Sequence, residues 1–483
     1  MTHIHDITVY KNLRNKRTNI MTQTTQKPTG LVDMTVGNPL RHIIKFSIPL
    51  LIGNIFQQCY NIADSIIVGN TIGTDAQAAV NNGMPILFLV TSLFIGLGAG
   101  ASIILSQNYG AKEMESVRRT IKTIYTFIMI VSVPLTIIGI LVAPPLMRLL
   151  GVPDTTMDMA VTYISITFIG IIGSLGYNFN AGILQGLGNS KTPLLFIGIS
   201  TVINIALDLL FILVFGWGIA GVAVATVIAQ AFSWLFGVWF IRRKYPELDL
   251  NIFSFGVDKE IFFKIIKVGM PMAIQQAMFS FGMLFMQNLI NQGGPAFIAG
   301  FGNANRIDAF VFMPIFSFQA ALTTFTGQNI GARQIDRVKH GLRVTVCSAL
   351  FVYMIIATLT LTFGRHLLGL FNPDPDVIEN GRYYLFSVIP FSWLITIQFM
   401  LASVMRGAGQ ALVPVFTTLV GFILIRIPSA YLIGHFIGLE YIFYSYPISW
   451  VVSLSAALIF FSTGRWKEFS LVVSNTKIEE AND

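Results

Sequence analysis

Gln107-Asn108-Tyr109-Gly110-Ala111-Lys112 returns 221 residues later as Gln328-Asn329-Ile330-Gly331-Ala332-Arg333. Other positions keep nearly the same offset: Gly186-Leu187-Gly188 answers to Gly407-Ala408-Gly409, Pro193 to Pro414 and, shifted by one residue, Pro49 to Pro271. A repeat of this length divides the chain into two halves of similar build. Each copy of the hexapeptide stands between two long apolar runs, so the nature of those runs decides the fold.

Composition settles that nature. Of 483 residues 54% are hydrophobic and 11% charged, Phe numbers 40, and mean hydropathy is +0.69. The charges fall in short clusters between apolar runs of about 20 residues, the length a helix needs to cross a ~30 Å hydrocarbon core. The expected fold is an all-α polytopic membrane protein. Twelve spans are read at about 47–69, 79–105, 123–148, 160–185, 192–214, 218–241, 268–290, 297–326, 343–369, 382–404, 412–434 and 441–463. Six spans per half is an even number, so both halves enter the membrane from the same side. The repeat is then parallel, giving two six-helix lobes with binding sites between or within them near midplane.

The expected organisation is a disordered cytoplasmic N-terminal tail at 1–40, an N-lobe at 41–245, a cytoplasmic linker at 246–266, a C-lobe at 267–466 and a cytoplasmic tail at 467–483. The amphipathic run Ile261-Phe262-Phe263 in the linker is suited to the membrane surface. Loops on one side hold 26 of the 31 Lys and Arg, which places both termini in the cytoplasm; the expected location is the plasma membrane, the cytoplasmic membrane of a prokaryote. That bias accounts for the net charge of +8 by contact with an anionic inner leaflet, without nucleic acid. The first 40 residues lack the apolar core of a signal peptide. Cys59 and Cys347 both lie within spans, which argues against a disulfide. The six His form no metal-spaced cluster, and neither a Gly-x-Ser-x-Gly nor a Walker loop occurs. Neither an enzyme nor an ATP-driven pump is expected, and no cofactor.

Two acids break the apolar pattern in the first half. A carboxyl at membrane depth costs roughly 2.5–3.5 kcal/mol and commonly marks an ion or substrate path. Asp64 and Asp208 each follow a proline, Pro49 and Pro193, by 15 residues. At 1.5 Å per residue both stand ~22 Å up their spans, at matching heights. If spans 1 and 5 are neighbours, the pair can share a proton or a cation. Span 1 also carries a polar stripe of Asn54, Gln57, Gln58, Asn61, Asp64 and Ser65 within an arc of ~120°. Asn204 lies one turn from Asp208, and Thr226 sits at comparable depth on span 6. Two carboxylates, an amide and a hydroxyl make an oxygen-rich set suited to Na+. Each acid also has a plainer reading as a capping or packing group, and each amide as interhelical hydrogen-bond glue.

The run Tyr60-Asn61-Ile62-Ala63-Asp64-Ser65-Ile66-Ile67-Val68-Gly69, the paired Gln-Asn-x-Gly-Ala-Lys/Arg loops, Gln185-Gly186-Leu187-Gly188-Asn189 and the stretch Asn204 to Asp208 together resemble the multidrug and toxic compound extrusion (MATE) family. The N-lobe acids resemble most its DNA-damage-inducible protein F branch. The resemblance covers about 40–465. It implies a twelve-helix, two-lobe antiporter, V-shaped with a central cavity, that exports cationic or amphipathic organic compounds in exchange for H+ or Na+. It also implies a coupling site at Asp64, Asn204, Asp208 and Thr226, with Gln57 and Tyr60 in the same cavity and Asn178 matching a further position. A monomer with small-molecule substrates and a lipid surround is expected.

The second half lacks the acids: Met286 aligns with Asp64, and span 11 carries Arg426 and Pro428 instead. Ion coupling is therefore expected in the N-lobe. A sodium-coupled branch of the family uses a C-lobe acid on span 7 or 10, where this chain shows Gln275 and Gln276 and no central acid. Asp308, on span 8, is either a further coupling or substrate acid or a packing partner of Arg306 or Arg426. Substrate contacts are expected from Gln57, Tyr60, Asn61, Asn178 and Met286. The last is one of several Met on span 7 able to adapt to varied ligands. A lipid-linked oligosaccharide flippase shares the twelve-helix plan, and would favour several cationic side chains at midplane.

Overall fold

The computed structural model describes residues 30–149 and 152–472. Twelve helical spans follow one another. Spans 1–3 are Pro39–Thr71, Thr74–Gly110 and Met114–Leu149. Span 4 is the pair Asp154–Ile169 and Ile171–Gly186, bent by 53° at Gly170. Span 5 runs from Lys191–Leu209 into a π-helical turn at Leu210–Val214, and span 6 is Gly218–Lys244. In the second half, spans 7–9 are Lys259–Ile290, Gly294–Gly331 and Ile335–Gly369. Span 10 is Pro375–Val388 and Ser392–Gly407, joined by a 3-10 turn at Ile389–Phe391. Span 11 is Leu412–Thr418, a π segment Leu419–Arg426 and Ile427–Phe436; span 12 is Ser445–Ser462.

Among the described residues, nine stretches are long and apolar enough to cross a membrane, and the bent span 4 makes ten. The stretch Lys259–Gly331 holds both spans 7 and 8, and span 1 falls outside the set because its polar stripe lowers its hydropathy. Several helices run further toward the basic loops than the apolar stretches do. Span 1 starts at Pro39, where Asn38 caps it by accepting from Arg41 N, and span 7 starts at Lys259, capped by Asp258. Ile261-Phe262-Phe263 therefore lies in the first turns of span 7, with Ile261 buried, and not along the surface.

The repeat is visible in the backbone. Lys112 and Arg333, at equivalent places in the two hexapeptides, both adopt positive φ (65° and 57°). Gly188 and Gly409 do the same at 82° and 94°. Each closes the helix before it with bonds back into its last turn, Lys112 N to Tyr109 O and Arg333 N to Ile330 O. The break in span 4 recurs in span 10 although Gly170 serves in one and Pro390 in the other.

Two apolar cores result, one built mostly from spans 2–6 and one mostly from spans 8–12. The first turns of spans 1 and 7 cross over. Ile43 and Phe46 of span 1 pack in the second core, while Ile261, Ile265 and Val268 of span 7 pack in the first. The boundaries expected at 41–245 and 267–466 thus follow the chain but not the cores.

The halves meet at the end carrying the basic loops, where small residues let backbones touch. A Cβ on Gly96 would lie 2.4 Å from Ala273 N, and one on Gly110 would lie 1.9 Å from Gln328 O. There the two hexapeptide glutamines form a reciprocal clasp. Gln107 donates to Gly407 O at 2.8 Å and accepts from Leu471 N at 2.7 Å. Gln328 donates to Gly186 O at 3.2 Å and accepts from Met34 N at 2.8 Å. Asn329 and Arg337 also donate to Met34 O.

The expected free tail therefore needs correcting. Residues 1–29 lie outside the described residues, but from Val32, whose N donates to Leu187 O, the segment is a packed strap. The last residues 473–483 are likewise outside, while Trp466 and Leu471 are buried. The linker is docked too. Gly256 N and Asp258 N donate to Thr126 and Thr123, and Arg119 pairs with Asp258. Burial would raise the Asp258 carboxyl, but the backbone N–H of Ile261 and the Arg119 guanidinium outweigh it and hold it below the usual carboxylate range.

Candidate functional site

Spans 1 and 5 pack side by side, and span 6 packs against span 5. This neighbourhood brings Asp64, Asn204, Asp208 and Thr226 together, all buried. Asp208 is wholly inaccessible because it sits where span 5 loosens into its π-helical turn, one residue before that turn's first cap, facing the lobe interior. Asp64 is 7% exposed and sits within electrostatic reach of Asp208.

Asn204 links the acids to span 6. In one orientation its Nδ2 donates to Thr226 Oγ1 at 3.3 Å. Turned over, the amide donates to Asp208 Oδ2 at 3.0 Å and accepts from Thr226 N at 3.3 Å, which satisfies both of its ends. Tyr60 Oη lies 3.5 Å from Thr226 Oγ1. The Oδ1 atoms of Asp64 and Asp208 are buried with no hydrogen-bond partner. Unpartnered acceptors in an apolar interior are costly, so the pair favours a proton or a cation.

Beside this cluster lies a small cavity of about 50 Å³ lined by Gln57, Tyr60, Tyr177, Asn204, Thr226 and Gln230. Gln57 and Tyr60 thus stand with the residues around the acid pair. Asn61 is exposed and lines neither this cavity nor the larger one between the halves. The polar stripe of span 1 has an exposed edge at Asn54, Gln57 and Asn61, and Asn54 reaches Ser317 of span 8 at 3.4 Å.

A second cavity, of about 730 Å³, lies between the halves. Asn178, Gln185 and Ser102 line it from one side, and Gln275, Met286 and Asp308 from the other. Asn178 is therefore a central-cavity residue, separate from the acid pair, and its Nδ2 is held by Ser174 O at 2.8 Å. Met272 and Met283 join Met286 in this wall. Asp308 accepts from Tyr384 Oη at 2.9 Å and forms no ion pair with Arg306 or Arg426 among the described residues.

Some participants gave no signal beforehand. Tyr163 is buried within electrostatic reach of Asp64, Tyr60 and Asp208. One tyrosine in an apolar helix looks like packing. Arg406 reads in sequence as a loop cation. The helix of span 10 instead carries it to the cavity wall, buried, with Nη2 donating to Gln275 Oε1 at 2.9 Å. Gln275, on the span where a sodium-coupled relative would carry an acid, is committed to Arg406, Pro414 O and Thr418. Cys59 and Cys347 are free and exposed.

Comparison with known proteins bears on the family and the fold. The MatE family model matches residues 49–210 and again 271–432, once per half. The chain is 31% identical over 440 residues to the probable multidrug resistance protein YpnP of Bacillus subtilis, covering 91% of this chain and 98% of that one. It is 24% identical over 440 residues to an FAD transporter of Shewanella oneidensis, covering 87% and 93%. Among solved structures it matches the outward-facing conformation of a MATE family multidrug resistance transporter at 25% identity, TM-score 0.83, over 93% of this chain and 99% of that one. A family match in each half, a relative covered almost end to end and a shared twelve-helix plan place this chain in the MatE family of membrane transporters.

Proposed function

We propose that this chain is a secondary antiporter that exports amphipathic organic compounds, cationic ones among them, from the central cavity, driven by H+ or Na+ entering at Asp64 and Asp208. The observation that carries the reading is the separation of two sites. One lobe holds two buried acids within electrostatic reach of each other, each with an unpartnered oxygen, and a ligand-sized cavity lies elsewhere, between the lobes. The multidrug names of relatives such as YpnP agree with it.

The chemistry follows from the acid pair. Two carboxylates in a dry site resist ionising together, so one cation or proton relieves both. Asn204, whose amide can donate to Asp208 Oδ2 while accepting from Thr226 N, ties that acid to span 6, so uptake of the ion bears on the contact between spans 5 and 6. Because span 1 carries Asp64 and also packs on span 8, it bears on the lobe contact as well. Transport is an exchange between two lobe arrangements biased by that ion.

The test is efflux of a fluorescent organic cation from proteoliposomes under imposed H+ or Na+ gradients. Asp64→Asn and Asp208→Asn are expected each to lower gradient-driven efflux at least tenfold. The gradient that drives wild-type efflux identifies the ion. Intact efflux in both variants would overturn the site.

A further inference from the structure

The C-lobe wall of the central cavity carries a second arrangement that the ion pair does not use. Arg426 leaves the π segment of span 11 against two rings, its guanidinium carbon 3.9 Å from the Phe422 ring centre and 4.1 Å from that of Tyr446. Two rings lie against the guanidinium, and its Nη2 is left without a partner at the cavity. Its Nε donates to Ser449 Oγ at 3.2 Å, while Nη2 is buried with no partner. Trp450, whose ring centre is 5.8 Å from the same guanidinium, has a buried Nε1–H that is also without a partner. Arg426 is 7% and Trp450 3% exposed, and both line the cavity.

Two buried donors beside a cavity call for an acceptor. Asp308 is the one carboxyl lining the cavity among the described residues; it lies within electrostatic reach of Arg426 but beyond ion-pair distance, and it is held by Tyr384. Arg406 adds a second guanidinium with an unpartnered Nε. The charged groups on the cavity wall are thus two guanidiniums and one carboxyl, an excess of positive charge. An edge-on guanidinium fits the paired oxygens of a carboxylate or phosphate, and a nearby N–H supports them. Phe279, Phe312 and Phe399 in the same cavity offer ring faces to a flat ligand.

We infer that Arg426, with Trp450, is an anion-binding subsite of the central cavity, and that the compounds it selects are aromatic molecules bearing a carboxylate or phosphate. This rests on the reading of the central cavity as the compartment of the exported compound, and it adds an anionic substrate class to the cationic one.

The test is equilibrium binding by calorimetry to the full chain in phosphatidylcholine nanodiscs, with no ion gradient. It therefore reports on the subsite whether or not Asp64 and Asp208 drive efflux. The probes are 2-naphthoate, 2-naphthyl phosphate and the neutral 2-naphthamide. The wild type is expected to bind the two anions at least tenfold more tightly than the amide. Arg426→Gln is expected to erase that preference, Arg426→Lys to keep part of it, and Trp450→Phe to weaken it about threefold. A cooperative thermal melt in each variant guards against misfolding, and the lysine variant decides if the glutamine one does not fold. Equal binding of acid and amide by the wild type, or an intact preference in Arg426→Gln, would overturn the assignment. So would Arg426-dependent displacement of the probes by phosphatidylglycerol in the nanodisc, which would assign the subsite to lipid phosphate.

Discussion

Thr226 shows how much of a buried polar cluster hangs on one hydroxyl. Its Oγ1 faces both Asn204 and Tyr60, and its backbone N–H is the second partner of the Asn204 amide. Thr226→Val keeps the shape and removes the hydroxyl. A hydrogen bond is worth about 1 kcal/mol, so gradient-driven efflux is expected to fall roughly fivefold with little change in thermal melting. Unchanged efflux would make the hydroxyl packing only. The acids at this site were legible in the sequence because a carboxyl is conspicuous in an apolar run. Asn204 and Thr226 were legible through spacing and the family resemblance. Tyr163 was not, since nothing local separates a tyrosine beside a carboxyl from one in a core. Asn61 misled for a related reason: a 100° step places it on the polar face, but that face has an exposed edge as well as a buried one. Arg406 was hidden by its position at the end of an apolar run, where a cation usually means a loop.

Among the elements, the two glutamine-bearing helix ends of spans 2 and 8 hold the segments around Met34 and Leu471 in a selective way. Gln328 takes the N-terminal strap through Met34, and Gln107 takes the C-terminal one through Leu471. Gln328→Ala is expected to speed hydrogen exchange at Met34 while Leu471 stays protected, and Gln107→Ala to do the reverse. Equal loosening of both straps in either variant would mean that the clasp opens as one unit. The spans themselves were legible to within a few residues at many ends, because hydrophobic length is imposed by the bilayer. Their extensions toward the basic loops were not, because a helix continues into polar sequence as long as caps such as Asn38 and Asp258 allow. Nor were the π segments of spans 5 and 11, where one extra residue per turn leaves no trace in composition.

For the whole molecule, the parallel repeat was readable from offsets alone, and the paired positive φ angles of Lys112 and Arg333 show it preserved in the backbone. What offsets do not reveal is which half owns each core. Ile43 and Phe46 belong to the second core and Ile261, Ile265 and Val268 to the first, while each clasp glutamine donates to the opposite half. That pattern is the geometry of a domain-swapped homodimer, with an isologous interface in which each subunit lends its first helix turns to the other. The single chain is then a dimer whose subunits are tethered, and the tether contributes effective concentration more than structure. A chain cut within 250–257, its halves co-expressed, is expected to reassemble in the membrane and co-purify. Neither half made alone is expected to be stable, because each would lack the turns that its partner inserts.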